Sequence, residues 1–286
     1  MLSYQHAYHA GGPADVHKHA ALSALAKHLG QKDKPFCAID VFAGEGIYDL
    51  SEAPAVKTGE FQRGIAALWE WNGNIPQVIA PYLAQVRALN ADGHLRRYPG
   101  SPAVLKAALR AGDHLIVNEL HPAAGKALRR WARGDSSIAI HHRDGLEALI
   151  ALVPPTPRRG MVVIDPSYEL ASDYADTAKA LVRATAKWAE GVFVVWYPLL
   201  ADQRHLPLLN AAATDIPLPA LTSELIFDLP GLSDAPGLGL RGSGLMVINP
   251  PWRFDAAMKE VGDWLATALR LGQSASHTMR WLRPPK

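Results

Sequence analysis

The chain has 286 residues, 49% of them hydrophobic and 20% charged, which excludes a disordered chain and fits one sizeable α/β core. A formal charge of +2 is too mild to announce a polyanion partner, and the pairs Arg96-Arg97, Arg129-Arg130 and Arg158-Arg159 read first as scattered surface arginines. A single cysteine, Cys37, excludes an internal disulfide, and no run approaches the roughly 18 apolar residues of a membrane span.

The opening stretch MLSYQHAYHAGG lacks a signal-peptide core, so a cytoplasmic protein with no membrane partner is expected. Apolar runs then alternate with helical patterns, the mark of a mostly parallel sheet wrapped by helices. A helix is predicted over His17–Leu29 and a first strand over Phe36–Val41, with Cys37 as a small core side chain. Next comes DVFAGEGIYDL, Asp40 to Leu50, whose Gly44-Glu45-Gly46 lets backbone approach a ligand closely. A dinucleotide loop needs a third glycine three residues past Gly46, where Asp49 stands. That counts against NAD and FAD and leaves S-adenosylmethionine, which carries no phosphate.

About seventy residues separate the first strand from the second, against about 30 for a simple βα unit. GEFQRGIAALWEW and IPQVIAPYLAQVRALN carry apolar residues at spacings of three and four. Residues 51–98 are therefore expected to form a small inserted helical subdomain, a lid or substrate-binding piece, with 1–50 and 99–286 as the main domain. A long helical crossover is the plainer alternative.

Beyond the insertion, a helix is predicted over Pro102–Ala111, a second strand over His114–Asn118 and a helix over Pro122–Arg133; the third strand is Ser137–His141 and the fourth Met161–Asp165. Glu119, at the end of the second strand, suits ribose hydroxyls, and Asp144-Gly145, after the third, suits an adenine edge. Singly, each acid is an ordinary strand end or helix cap. As an ordered set at the carboxyl ends of successive strands, where open α/β sheets bind ligands, they outline a nucleoside site.

The fourth strand ends in Asp165-Pro166-Ser167-Tyr168. An exocyclic amine on a base is a poor nucleophile, because its lone pair is delocalised into the ring. A carboxylate and a neighbouring backbone carbonyl, here Asp165 and Pro166, can hold its two N–H bonds so that the lone pair faces a sulfonium methyl. The ring of Tyr168 would stack on the base. Ser167 stands where such loops have a second proline, which loosens the loop without removing its acceptors.

Later elements are a helix over Asp173–Glu190, strands over Val192–Trp196, Leu221–Phe227 and Leu245–Asn249, and a helix over Asp255–Leu271. A rival tetrapeptide, Asn249-Pro250-Pro251-Trp252, follows the last of these strands. If that strand runs antiparallel, it ends on the face away from the ligand, and NPPW is a rigid turn with a packing tryptophan. Four histidines near the start, His6, His9, His17 and His19, lack the spacing of a metal site, so no metal is expected; His9 and His17 read as exposed.

The blocks MLSYQHAYHAGGPADVHKHAAL, AGEG, YPGSP, ELHP, DGL, RRGMVVIDPSYE, WYP and SGLMVINPPW, in that order and over essentially the whole chain, resemble the bacterial RlmJ family of 23S ribosomal RNA adenine-N6 methyltransferases. The resemblance implies a Rossmann-like α/β methyltransferase sheet with a small inserted helical subdomain, S-adenosylmethionine as methyl donor and 23S ribosomal RNA as partner. It further implies cofactor contacts at His19, Phe42, Gly44, Ser101, Glu119, Asp144, Gly145 and Asp165, with Asp165 also catalytic alongside Pro166 and Tyr168. Tyr4, His6, Lys18 and Tyr168 are implied on the substrate side. Phe42 stands where the family has histidine and Ser167 where it has proline. The alternatives are a DNA adenine-N6 methyltransferase and a catalytically impaired RNA-binding protein of the same fold.

Overall fold

A computed structural model describes residues 4–228, 239–269 and 271–285. In chain order its elements are α1 Pro13–Gly30, β1 Cys37–Asp40, β2 Ile47–Asp49, α2 Ala53–Thr58, α3 Ile65–Trp69, α4 Ala80–Leu89, β3 Arg97–Pro99, α5 Ser101–Lys106, β4 His114–Asn118, α6 Pro122–Trp131, β5 Ile138–His141, α7 Gly145–Leu152, β6 Gly160–Ile164, α8 Ser172–Lys187, β7 Val192–Leu200, α9 Leu206–Asp215, β8 Ala220–Ile226, β9 Leu240–Ile248, α10 Phe254–Ala268 and β10 Ser276–Arg283. Residue 270, inside the last predicted helix, lies outside the described residues.

The main sheet runs β10-β8-β9-β7-β6-β1-β4-β5. From β7 to β5 it is parallel, while β9 is antiparallel to β7 and β8, and β10 to β8. The chain leaves β1 for β4 and β5 on one side and returns to β6 on the other. The strand order therefore reverses between β1 and β6, and a crevice opens above their carboxyl ends. Both strands are buried throughout, and their alternate residues feed the two faces: Ile39, Val162 and Ile164 join a cluster with Leu149 and Leu181, whereas Ala38, Met161 and Val163 join one with Leu22 and Leu25.

The helices between β2 and β3 belong to the second of these clusters. Ile65 and Leu68 of α3 and Tyr82, Leu83 and Val86 of α4 share it with Val16 and Leu22 of α1. Antiparallel pairing of Ile47 with Pro99 and Asp49 with Arg97 ties the two ends of the segment together.

Several features depart from the sequence expectations, the paired strands β2 and β3 among them. The sheet gains an unpredicted edge strand, β10, and helices α7 and α9 were not foreseen. The NPPW turn does lie away from the crevice, because Ile248 of β9 pairs with Phe193 at the start of β7. Its tryptophan, however, does not pack: Trp252 is 84% exposed, and Phe254, 1% exposed, fills the core instead. Asn249 pins the turn by donating from Nδ2 to the carbonyls of Ala189 and Gly191 at 3.2 and 3.0 Å, and left-handed Arg253 (φ 61°) precedes the inward Phe254.

Candidate active site

A cleft of about 790 Å³ lies above the reversal point, walled by the N-terminal segment, the glycine loop and the ends of β4, β5 and β6. The glycine loop is tightly built. Gly44 takes φ +60°, and a Cβ on it would come within 2.5 Å of the Tyr48 hydroxyl; one on Gly100 would come within 2.2 Å of the Glu45 carbonyl oxygen. The Gly44 N–H donates to Glu119 Oε2 at 2.7 Å and the His121 N–H to Glu119 Oε1 at 2.6 Å. Each carboxylate oxygen keeps a second lone pair for a hydroxyl. Asp144 caps α7, accepting from the N–H groups of Leu146 and Glu147 at 2.9 and 3.0 Å through Oδ1. Gly145 lies against the Phe42 ring, where a Cβ would approach Cε1 to 2.3 Å. Phe42 thus supplies a flat apolar wall where a histidine would have supplied a ring nitrogen.

At the other end stands Asp165, just past β6. Its Oδ2 accepts from the Lys18 ammonium at 2.5 Å, and Oδ1 has no hydrogen-bond partner among the described residues. Lys18 also bonds Asp15 Oδ1 at 3.0 Å. Burial alone would discharge Lys18, but the two carboxylates more than offset it and hold the amine charged, well above the usual lysine range. Asp15 likewise pays for burial with partners: His6 and Lys18 keep its carboxyl well below the usual range. His6 Nε2 lies 2.9 Å from Asp15 Oδ2, and His6 Nδ1 lies 2.9 Å from the Tyr4 hydroxyl. Tyr4 stacks on His9, which pairs with Glu60 at 2.9 Å. Tyr4, His6 and Lys18 are thereby brought together at the rim beside Asp165.

His19 and Ser101 complete the wall. His19 is fully buried; Nδ1 lies 2.8 Å from the Tyr98 hydroxyl, and Nε2, 3.9 Å from Asp15 Oδ1, has no hydrogen-bond partner among the described residues. Burial pushes its ring down to about 3, so it is neutral. Beneath the wall, Asp40 Oδ1 accepts from Phe42 N–H at 3.2 Å while Oδ2 has no hydrogen-bond partner among the described residues.

Two sequence expectations are corrected. Tyr168 does not line the cleft: with φ 51° its side chain turns inward, stacks on Tyr174 at 4.4 Å and donates to the Trp196 carbonyl at 2.8 Å. Its ring is inside the apolar layer under α8, and Ser167, Glu169 and Leu170 face the cleft in its place. His17 is not exposed but fully buried, bonded to Ser243 Oγ at 3.0 Å and Ser223 Oγ at 3.1 Å. Asp15 and Asp40 were missed altogether. Asp15 had a readable signal, since Asp15, Lys18 and His19 stand at i, i+3 and i+4 on one helix face.

His19 Nε2, the glycine cradle and the free lone pairs of Glu119 and Asp144 fit a nucleoside with a charged amino-acid tail, and the Gly44 and Glu45 N–H groups of the glycine loop are already taken by Glu119 and the Tyr48 hydroxyl. A crevice so placed and so lined belongs to the S-adenosylmethionine-dependent methyltransferases, and this protein is one of them. The family model for "Ribosomal RNA large subunit methyltransferase D, RlmJ" matches residues 33–283, and the chain is a member of that family. It is 36% identical over 284 residues to ribosomal RNA large subunit methyltransferase J of Escherichia coli, covering 99% of this chain and 100% of that one. It is 35% identical to the protein of the same name from Haemophilus influenzae, again over 99% and 100% of the two. The crystal structure of protein LPL1258 from Legionella pneumophila superposes with a TM-score of 0.86 at 33% identity, over 95% of this chain and 98% of that one.

Proposed function

We propose that the protein transfers a methyl group from S-adenosylmethionine to the exocyclic N6 of a specific adenine in 23S ribosomal RNA. One observation carries the chemistry: Asp165 stands at the end of β6 with one oxygen on Lys18 and the other without a hydrogen-bond partner among the described residues. That free Oδ1 and the Pro166 carbonyl accept the two amino N–H bonds, restoring the nitrogen lone pair and aiming it across the cleft. Bound in the cleft, S-adenosylmethionine supplies a methyl already activated on a sulfonium. As the N–C bond forms and the C–S bond breaks, the amine becomes acidic, and Asp165 takes its proton. On this reading His19, Phe42, Gly44, Ser101, Glu119, Asp144 and Gly145 hold the donor, and Tyr4, His6 and Lys18 meet the RNA. Tyr168, as placed, braces the loop from behind through the Trp196 carbonyl. The insertion at 51–98 serves as an RNA-recognising subdomain, joined to the N-terminal segment by the His9–Glu60 contact.

Incubation with labelled methyl donor and unmodified 23S RNA, followed by digestion to nucleosides, is expected to yield label in N6-methyladenosine that is lost in Asp165→Ala. Label in another nucleoside, or equal transfer to DNA of the same sequence, would overturn the reading.

A further inference from the structure

The buried Asp15 lies behind the cleft wall: Lys18, His19 and His6 line the cleft, whereas Asp15 does not. Its two oxygens nevertheless collect the Gly11 N–H at 3.1 Å, both contacts from His6 Nε2 at 3.0 and 2.9 Å, and the Lys18 ammonium at 3.0 Å. Its side chain is 2% exposed. Between Asp15 and Asp165 stands one lysine serving two carboxylates. We propose that Asp15 is a positioning residue for methyl transfer, dividing the Lys18 charge so that Asp165 keeps an oxygen free for the amine, and clamping His6 over the same site. The inference rests on the function proposed above.

The electrostatics run in one direction. With both anions present, the ammonium's donors and its field are split, and Asp165 remains a strong acceptor. Without the Asp15 charge the whole cation falls on Asp165, drawing its electron density towards Lys18 and weakening its grip on the amino N–H bonds. Gly11 and Lys18 bond opposite oxygens of Asp15, so an asparagine keeps an acceptor for only one of them. Asp15→Asn removes the charge together with one acceptor, whereas Asp15→Glu keeps the charge and both oxygens.

Steady-state transfer to 23S RNA is measured for wild type, Asp15→Asn and Asp15→Glu across pH 5 to 9. For Asp15→Asn, kcat is expected to fall at least about tenfold, with KM for RNA within about twofold of wild type. The acidic limb of the kcat profile is expected to move to lower pH, because a neighbouring anion has gone. Asp15→Glu, which keeps the charge but shifts it by one methylene, is expected to lose kcat several-fold while leaving that limb in place; it decides the matter if the asparagine variant fails to fold. An unchanged kcat and an unmoved limb overturn the inference, as does a purely KM effect. Wild-type protein without transfer to RNA would instead sink the function, and this inference with it.

Discussion

At the scale of single residues, one contact in the cleft and one buried acid beneath its wall set measurable limits. Gly145 has no room for a methyl group, since the Phe42 ring would sit 2.3 Å from its Cβ. Gly145→Ala should push Phe42 into the space proposed for adenine, weakening S-adenosylhomocysteine binding by about tenfold, or 1.4 kcal/mol. Titration calorimetry checks this, and affinity within twofold of wild type would contradict it. Asp40 tests electrostatics instead. Burial pushes its carboxyl up from 3.8 to about 6, so the folded state favours the protonated acid. Below pH 4 both states are protonated and nothing is lost. Between pH 4 and 6 the unfolded chain ionises first and stability falls, reaching a cost of about 3 kcal/mol above pH 6. Asp40→Asn keeps an acceptor for Phe42 N–H and never ionises. Urea unfolding should show it more stable than wild type by about 1–3 kcal/mol at pH 8 and equal at pH 4; an equal gain at both values would mean the carboxyl is not the cause.

Among the elements, α1 unites the site. It is buried on nearly every side between β9, α4, α5 and α10, so its polar residues need partners inside the protein. Asp15, Lys18 and His19 find them at the cleft. His17 finds Ser223 and Ser243, and Ser243 Oγ also accepts from Trp196 Nε1 at 3.0 Å. Ser243→Ala leaves His17 Nδ1 and Trp196 Nε1 without this partner in the core, while His17 Nε2 keeps Ser223, and should cost about 2 kcal/mol of unfolding free energy; a loss under about 0.5 kcal/mol would show that the bonds are replaced elsewhere. This element also shows what the sequence could tell. Apolar runs located the parallel strands, β4 to the residue, because a strand buried on both faces reads as continuous Val, Ile and Leu. β10 stayed hidden: Ser276–Arg283 alternates charged, polar and aromatic residues on an exposed edge and has no apolar run to find. The acids Glu119, Asp144 and Asp165 were legible because strand order fixes where such residues converge. The inward turn of Tyr168 and the burial of His17 were not, since both depend on partners, Trp196, Ser223 and Ser243, far away in the chain. Asp15 lay hidden for the opposite reason: its helical neighbours were in view, but Asp165, at the far side of Lys18, was needed to show what it does.

Over the whole molecule, the buried titratable groups make stability depend on pH with a definite sign. Burial pushes His17 down to about 3, helped by His277, and His19 down to about 3. Both rings are fully buried and neutral in the folded protein. Once unfolded, each binds a proton near its ordinary 6.5. Their stabilising contribution is therefore complete above pH 6.5 and drains away as the pH falls towards 3. Each excess proton on the unfolded chain lowers stability by about 1.4 kcal/mol per pH unit, so the pair gives a slope of about 2.7 kcal/mol per unit. Asp40 acts against them between pH 6 and 4, because there the folded protein holds the proton that the unfolded chain has released; it cancels about one of the two. Urea unfolding followed from pH 6 to 4.5 should therefore show these groups lowering stability by about 1.4 kcal/mol per unit. His17→Gln should flatten wild type by about one proton, whatever it costs at pH 8 through its changed bonds to Ser223 and Ser243. Asp40→Asn should steepen the slope by the same amount. Curves for wild type and His17→Gln that run parallel over this range would mean that His17 takes up its proton without unfolding, and that the core around α1 opens to water well before the sheet comes apart.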